Sequence, residues 1–182
     1  MIIGHAPSGY ITAKLLLRNF TGRGVSPKWF LIAGVIGALA PDLDMIYFHL
    51  VDHRQHHHHT YFPHFPILWL CLLMLTFAWL RINRASKAAA LAFVFCLGGF
   101  IHMILDSVVG DIGWFSPFID RPFSMFTVPA LYKPWWLNFI LHWSFGLELS
   151  LWIWAFLIYR KRSTYTPFKR GVAKTRLPLT LH

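Results

Sequence analysis

Residues Lys87–Gly110 read KAAALAFVFCLGGFIHMILDSVVG. Between Lys87 and Asp106 no Asp, Glu, Lys or Arg interrupts the run, and about 20 apolar residues in a helix suffice to cross roughly 30 Å of hydrocarbon. Three other stretches have the same character: Lys28–Val51 (KWFLIAGVIGALAPDLDMIYFHLV), Phe65–Leu80 (FPILWLCLLMLTFAWL) and Leu137–Tyr159 (LNFILHWSFGLELSLWIWAFLIY). The 182 residues are 56% hydrophobic, 18% aromatic and 13% charged, where a soluble globular chain carries about 25% charged residues. The expected fold is all-α, a polytopic membrane bundle of four transmembrane helices. The N-terminal stretch Gly4–Phe20 (GHAPSGYITAKLLLRNF) is shorter and carries Lys14 and Arg18 one turn apart. It is either a short fifth helix or an interfacial one. Gly4, His5 and Pro7 ahead of its apolar part argue against a cleavable signal peptide. With no internal repeat or flexible linker, the expected organisation is one membrane-embedded unit over residues 1–159 and a basic, disordered cytoplasmic tail over residues 160–182.

Cations set the expected orientation, because Lys and Arg in short loops are retained on the cytoplasmic side. Of 17 Lys and Arg, all but Arg54, Arg121 and Lys133 fall into three segments. These are Lys14 to Lys28, the turn RINRASK from Arg81 to Lys87, and the tail from Arg160 onward. Four alternating spans place all three on one face, leaving the C-terminus cytoplasmic. Arg54, Arg121 and Lys133 face Asp52, Asp111 and Asp120 on the other side and cancel, so the net charge of +10 is almost wholly cytoplasmic. Such charge predicts anionic lipid headgroups as partners. No aromatic-interleaved basic motif points to nucleic acid.

Ionisable side chains inside apolar spans are costly and mark sites by default; here they are His5, Asp42, Asp44, His49, His102, Asp106, His142 and Glu148. Counting from the cytoplasmic cation of each helix at about 1.5 Å per residue puts His5 roughly 20 Å deep, Asp42 about 21 Å and His102 about 22 Å. The same count gives about 26 Å for His64 and about 27 Å for His142. This layer lies beneath HRQHHHHTYFPH, His53–His64, which holds six of the chain's 11 histidines and sits too far inside the chain for an affinity tag. His102 and Asp106, four apart, share a helical face; Asp42, His49 and His53 share a stripe. Asp42 and Asp44 are two apart and can both face inward only if the helix breaks, which Pro41 permits. Imidazoles with carboxylates form the ligand set of zinc, and with more carboxylates of manganese or iron. Glu148, the one ionisable residue assigned to the inner part of a span, is either a buried pairing partner or a site residue. Cys71 and Cys96 lack metal-ligand spacing and read as packing residues.

These residues resemble the pattern of the LexA-regulated, inner-membrane, metal-dependent hydrolases: GH at Gly4-His5, PDxD at Pro41–Asp44, HR followed closely by His from His53, and HxxxD in a Gly-rich apolar helix at His102–Asp106, with WFSPF after it. The resemblance implies metal ligands at His5, Asp42, Asp44, His53, one histidine of the run (His58 or His59), His102 and Asp106. The pattern is similar, more distantly, to zinc-dependent phospholipase C and related single-strand nucleases, which implies phosphoester hydrolysis. The resulting expectation is a hydrolase of a lipid-linked or small-molecule substrate. Its metal ligands are His5, Asp42, His53, His58, His102 and Asp106, with zinc the first expectation. Asp44 or His59 would act as base, and Arg54 would hold a phosphate or carboxylate oxygen. The rival expectation is a metal transporter or sensor, with Glu148 as its exit station.

Overall fold

The structure, a computed structural model, describes Met1, residues 3–119 and residues 121–161. The tail from residue 162 and Asp120, on which the expected tail disorder and part of the charge balance fall, lie outside the described residues. Seven α-helices are present among the described residues: α1 His5–Phe20, α2 Pro27–Leu39, α3 Asp44–Leu50, α4 Pro66–Ile82, α5 Lys87–Asp106, α6 Trp136–Leu141 and α7 Trp143–Arg160. The only extended pairing there is a single bridge between Ile112 and Phe123. The all-α expectation thus describes the architecture.

Local chemistry sets the helix ends. The Ser86 hydroxyl accepts from the Ala89 amide at 3.1 Å and caps α5, while Pro27 and Pro66 open α2 and α4 where a missing N–H is harmless. Pro41 cannot donate, so α2 ends at Leu39, a 3-10 turn follows over Pro41–Leu43, and α3 leaves at 56°. Among the described residues, α5 alone is long and apolar enough to cross a membrane, or two units are if the bent pair Pro27–Leu50 counts as one span. Helix α4 has 17 residues, and the last apolar run is divided, since His142 is extended (φ −78°, ψ 145°) between α6 and α7.

Helix α2 is the centre of the bundle, packed along α1 and α5; α4 covers the other side of α5, and α7 leans on α1. The close approach depends on small residues, as in membrane helix pairs. A Cβ at Gly37 would stand 2.0 Å from the Phe95 carbonyl oxygen. One at Gly98 would stand 2.6 Å from that of Gly34. Gly99 likewise makes room for the Trp69 ring, whose indole N–H donates to the Pro63 carbonyl at 2.7 Å. Backbone contact of this kind brings the start of α1, the break after α2 and the end of α5 together. At the opposite end Ala13, Phe20, Phe30, Leu80, Ala89 and Val94 form an apolar core. Cys96 is buried, whereas Cys71 is exposed on α4. Trp152, Ile153, Trp154, Phe156 and Leu157 are exposed on α7.

Candidate metal centre

The HxxxD pair sits at the last turn of α5, with His102 fully buried and Asp106 1% exposed. The break at Pro41 leaves the Ala38 carbonyl near the end of α2, and His102 Nδ1 donates to it at 2.8 Å. That bond fixes the tautomer and leaves the Nε2 lone pair directed at two carboxylates: Asp106 Oδ2 at 3.0 Å and Asp42 Oδ1 at 3.6 Å. The same break turns Asp44 inward, and His64 Nδ1 donates to Asp44 Oδ2 at 2.5 Å. His64 Nε2 in turn faces Asp42 Oδ1 at 3.7 Å and Asp106 Oδ2 at 3.8 Å.

Asp42, His64, His102 and Asp106 therefore offer four ligand atoms within 4.8 Å of one another. A tetrahedral zinc with bonds of about 2.0–2.1 Å holds its ligand atoms roughly 3.3 Å apart, close to these separations. His64 Nε2 and His102 Nε2 are buried with no hydrogen-bond partner, an arrangement that costs on the order of 1–3 kcal/mol for each group unless something binds them. Both imidazoles are oriented from behind, by a carboxylate and a backbone carbonyl, as metal-ligating histidines commonly are. Two carboxylates balance a divalent charge. The residues thus fit a divalent cation on geometry, charge and unsatisfied valence.

Other groups surround this set. His5, at the start of α1, stacks on His102 with centroids 3.7 Å apart and places Nε2 3.1 Å from Asp106 Oδ1. The Met1 ammonium also contacts Asp106 Oδ1. His59, 8% exposed, lies in a 3-10 turn over His58–Thr60 with Nε2 3.5 Å from Asp106 Oδ2 and Nδ1 unpartnered. It fits only because Gly110 is beneath it: a Cβ there would stand 2.8 Å from His59 Cε1. His58, His59 and His64 form a second group able to hold an ion. Burial, and then the imidazoles of His59, His64 and His57, pushes His58 down to about 3. Partial desolvation and then the His59 imidazole lower His57 as well.

The structure brings His5, Asp42, Asp44, His58, His59, His102 and Asp106 to one place, from α1, the α2–α3 break, the histidine run and α5. It does not bring His53 or Arg54, which are exposed in left-handed backbone (φ 50° and 64°) outside the cluster, nor His49, which is exposed on α3. Asp44 grips His64 rather than reaching open space with both oxygens, so its first role is to position that imidazole. His64 is the ligand candidate that the sequence-based ligand set omits; its depth and its setting in FPHFP were the available signals. His142 is not in the cluster either. Its Nδ1 accepts from the Ser144 amide at 3.4 Å and caps α7. Glu148 lies beside His5, its Oε2 accepting from the Ile3 and Gly4 amides at 2.5 and 2.8 Å.

Among known families, the YdjM inner membrane protein family matches residues 1–166, and the chain belongs to it. Comparison with curated proteins and with solved structures gave no match.

Proposed function

We propose that this inner membrane protein is a metal-dependent hydrolase of a lipid-linked phosphoester, with its site at the external membrane interface. The observation that carries the reading is the convergence of Asp42, His64, His102 and Asp106 around two buried imidazole nitrogens that have no partner. Asp42, His64, His102 and Asp106 would hold a divalent cation, zinc first and manganese or iron as the other fits, which would supply polarisation of an ester oxygen and acidification of water.

The chain's residues divide the remaining tasks. Asp42 and Asp106 neutralise the cation, and His64 and His102 complete a compact ligand set. The Asp42 side chain is 36% exposed while the other three are nearly fully enclosed, so substrate approaches from the Asp42 side. His59 stands at the rim with an unpartnered Nδ1 and takes the proton of the attacking water. Asp44 and the Ala38 carbonyl keep both ligand imidazoles aimed. Arg54, outside the cluster on the exposed loop, meets a headgroup phosphate before it reaches the centre.

Membrane position supports a lipid-linked substrate. The four apolar runs form the spans, with α6 and α7 together as the last, and the cations at Arg18, Arg84 and Arg160 mark the cytoplasmic ends. The exposed apolar face of α7 suits lipid contact. A groove of about 370 Å³ lined by Ala6, Pro7, Tyr10, Val35, Trp152 and Phe156 starts one residue from His5 and suits an acyl or isoprenoid chain. The metal transporter or sensor reading has less support, because among the described residues the buried ionisable side chains His5, Asp44, His59, His64, His102, Asp106 and Glu148 gather at the site end, and the core at the far end of α1, α2, α4 and α5 is apolar. Elemental analysis of detergent-purified protein tests the metal, and turnover of phospholipid and polyprenyl-phosphate esters tests the chemistry. Protein free of metal refutes the centre; metal-loaded protein that hydrolyses no lipid phosphoester but passes cations across proteoliposomes establishes the transporter.

A further inference from the structure

The histidine run holds more imidazoles than the buried centre can use. His57 is exposed, His58 half-buried, His59 8% exposed and His64 fully buried. Their rings form a continuous series: His57 to His58 at 5.1 Å between centroids, His58 to His59 at 4.1 Å, His59 to His64 at 4.8 Å and His64 to His102 at 5.3 Å. At the solvent end His56, its side chain 67% exposed, is held by Asp52 through a 2.7 Å contact between Nδ1 and Oδ1. The other Asp52 oxygen accepts from the Gln55 and His56 amides at 2.8 and 2.9 Å. That carboxylate therefore presents the remaining His56 nitrogen to solvent, as Asp44 presents His64 to the interior.

Two ligand groups share one residue. His58, His59 and His64 form one, and Asp42, His64, His102 and Asp106 the other. His64 Nδ1 is committed to Asp44, so only Nε2 carries a free lone pair, and one lone pair binds one ion. The groups are thus alternative positions of a single cation. We infer that the run His56–His59 is a loading relay, in which a divalent transition-metal ion passes from solvent through a His58/His59/His64 station into the buried centre. The inference rests on the metal reading of that centre.

The physical need is clear from burial. Bringing a bare dication to groups as enclosed as His102 and Asp106 requires removing its water shell, which is prohibitive in one step. Imidazole suits zinc, copper, iron and nickel ions, and successive imidazoles replace the waters one at a time. His64 belongs to both groups and makes the hand-over without releasing the ion. A relay alters the rate of filling and leaves the final ligand set unchanged. Removing one of its members therefore slows uptake and release by the same factor.

The test is stopped-flow uptake of Co²⁺ by chelator-stripped, full-length protein in detergent, read by the ligand-field absorption of the bound ion. The variants are His57→Ala, His58→Phe, which keeps an aromatic ring against Phe48 and His59 but offers no nitrogen, and His102→Ala. The expected result is tenfold or slower uptake in His57→Ala combined with His58→Phe, tenfold slower release to excess chelator, and unchanged stoichiometry and equilibrium affinity. His102→Ala loses tight binding altogether. Uptake within twofold of the parent in the combined variant overturns the relay while leaving the centre intact. A fall in stoichiometry there also overturns it, by making His58 a resident ligand. A parent protein that takes up no Co²⁺ overturns both the relay and the metal centre beneath it.

Discussion

Replacing Asp44 with Asn separates two roles that the APDLD motif allows. Asp44 Oδ2 accepts from His64 Nδ1 at 2.5 Å, and both side chains are almost completely buried. The Asn carbonyl can still accept from Nδ1–H, but it carries no charge, so the bond weakens and His64 loses orientation and basicity as a ligand. Loss of such a partner behind a metal-bound histidine lowers metal affinity by about 10–100-fold, or about 1.4–2.7 kcal/mol. Folding stability also falls, by roughly 1–3 kcal/mol, because a charge-assisted buried hydrogen bond is replaced by a neutral one. The assay is competition for Zn²⁺ between detergent-purified protein and a chromophoric chelator, with thermal unfolding followed in parallel. A Kd within twofold of the parent, alongside abolished phosphoester turnover, would refute the positioning role. It would make Asp44 the general base instead.

Four further outcomes follow from the same geometry. His102→Ala and Asp106→Ala each release the bound metal, measured by elemental analysis, whereas His56→Ala, whose side chain is 67% exposed, retains it; equal retention in all three would count against the ligand set. His59→Ala removes the imidazole whose Nδ1 is buried without a partner; kcat should drop at least tenfold with metal content preserved, and an unchanged kcat removes His59 from the base role. Glu148→Gln weakens the bonds to the Ile3 and Gly4 amides and costs about 1 kcal/mol in unfolding experiments, with metal content unaltered; metal loss would draw Glu148 into the centre. Reporter fusions at Arg84 and at Gly113 should report cytoplasmic and external locations respectively, and the reverse would place the site on the cytoplasmic face.

The sequence alone determined features that depend on near neighbours in the chain. The helical character of Lys87–Asp106 follows from an uninterrupted apolar run, and the shared face of His102 and Asp106 follows from the helical repeat. Pro41 announces a break because it lacks an N–H whatever surrounds it, and that break is why Asp42 and Asp44 can both turn inward. Length arithmetic put His5, Asp42 and His102 at similar depth because a helix rises by a fixed amount per residue. The same arithmetic grouped His142 with them, although that residue is extended and caps α7. Depth fixes height along a bundle but not the direction in which a side chain points.

Only the tertiary structure decided which imidazole faces which carboxylate. His64 lies 20 residues beyond Asp44, in a 3-10 turn between two prolines whose path has no helical repeat to extrapolate. Its pairing exists because α2, α4 and α5 meet through Gly37, Gly98 and Gly99. His53 and Arg54 are read as site residues from their place in a motif, yet the loop turns through left-handed backbone and leaves both in solvent. Glu148 looked like a step toward the cytoplasm and is instead anchored at the start of α1. Such choices depend on close contacts between distant segments, where a shift of an ångström changes a partner, whereas the helices and their break depend on bonds made within a few residues.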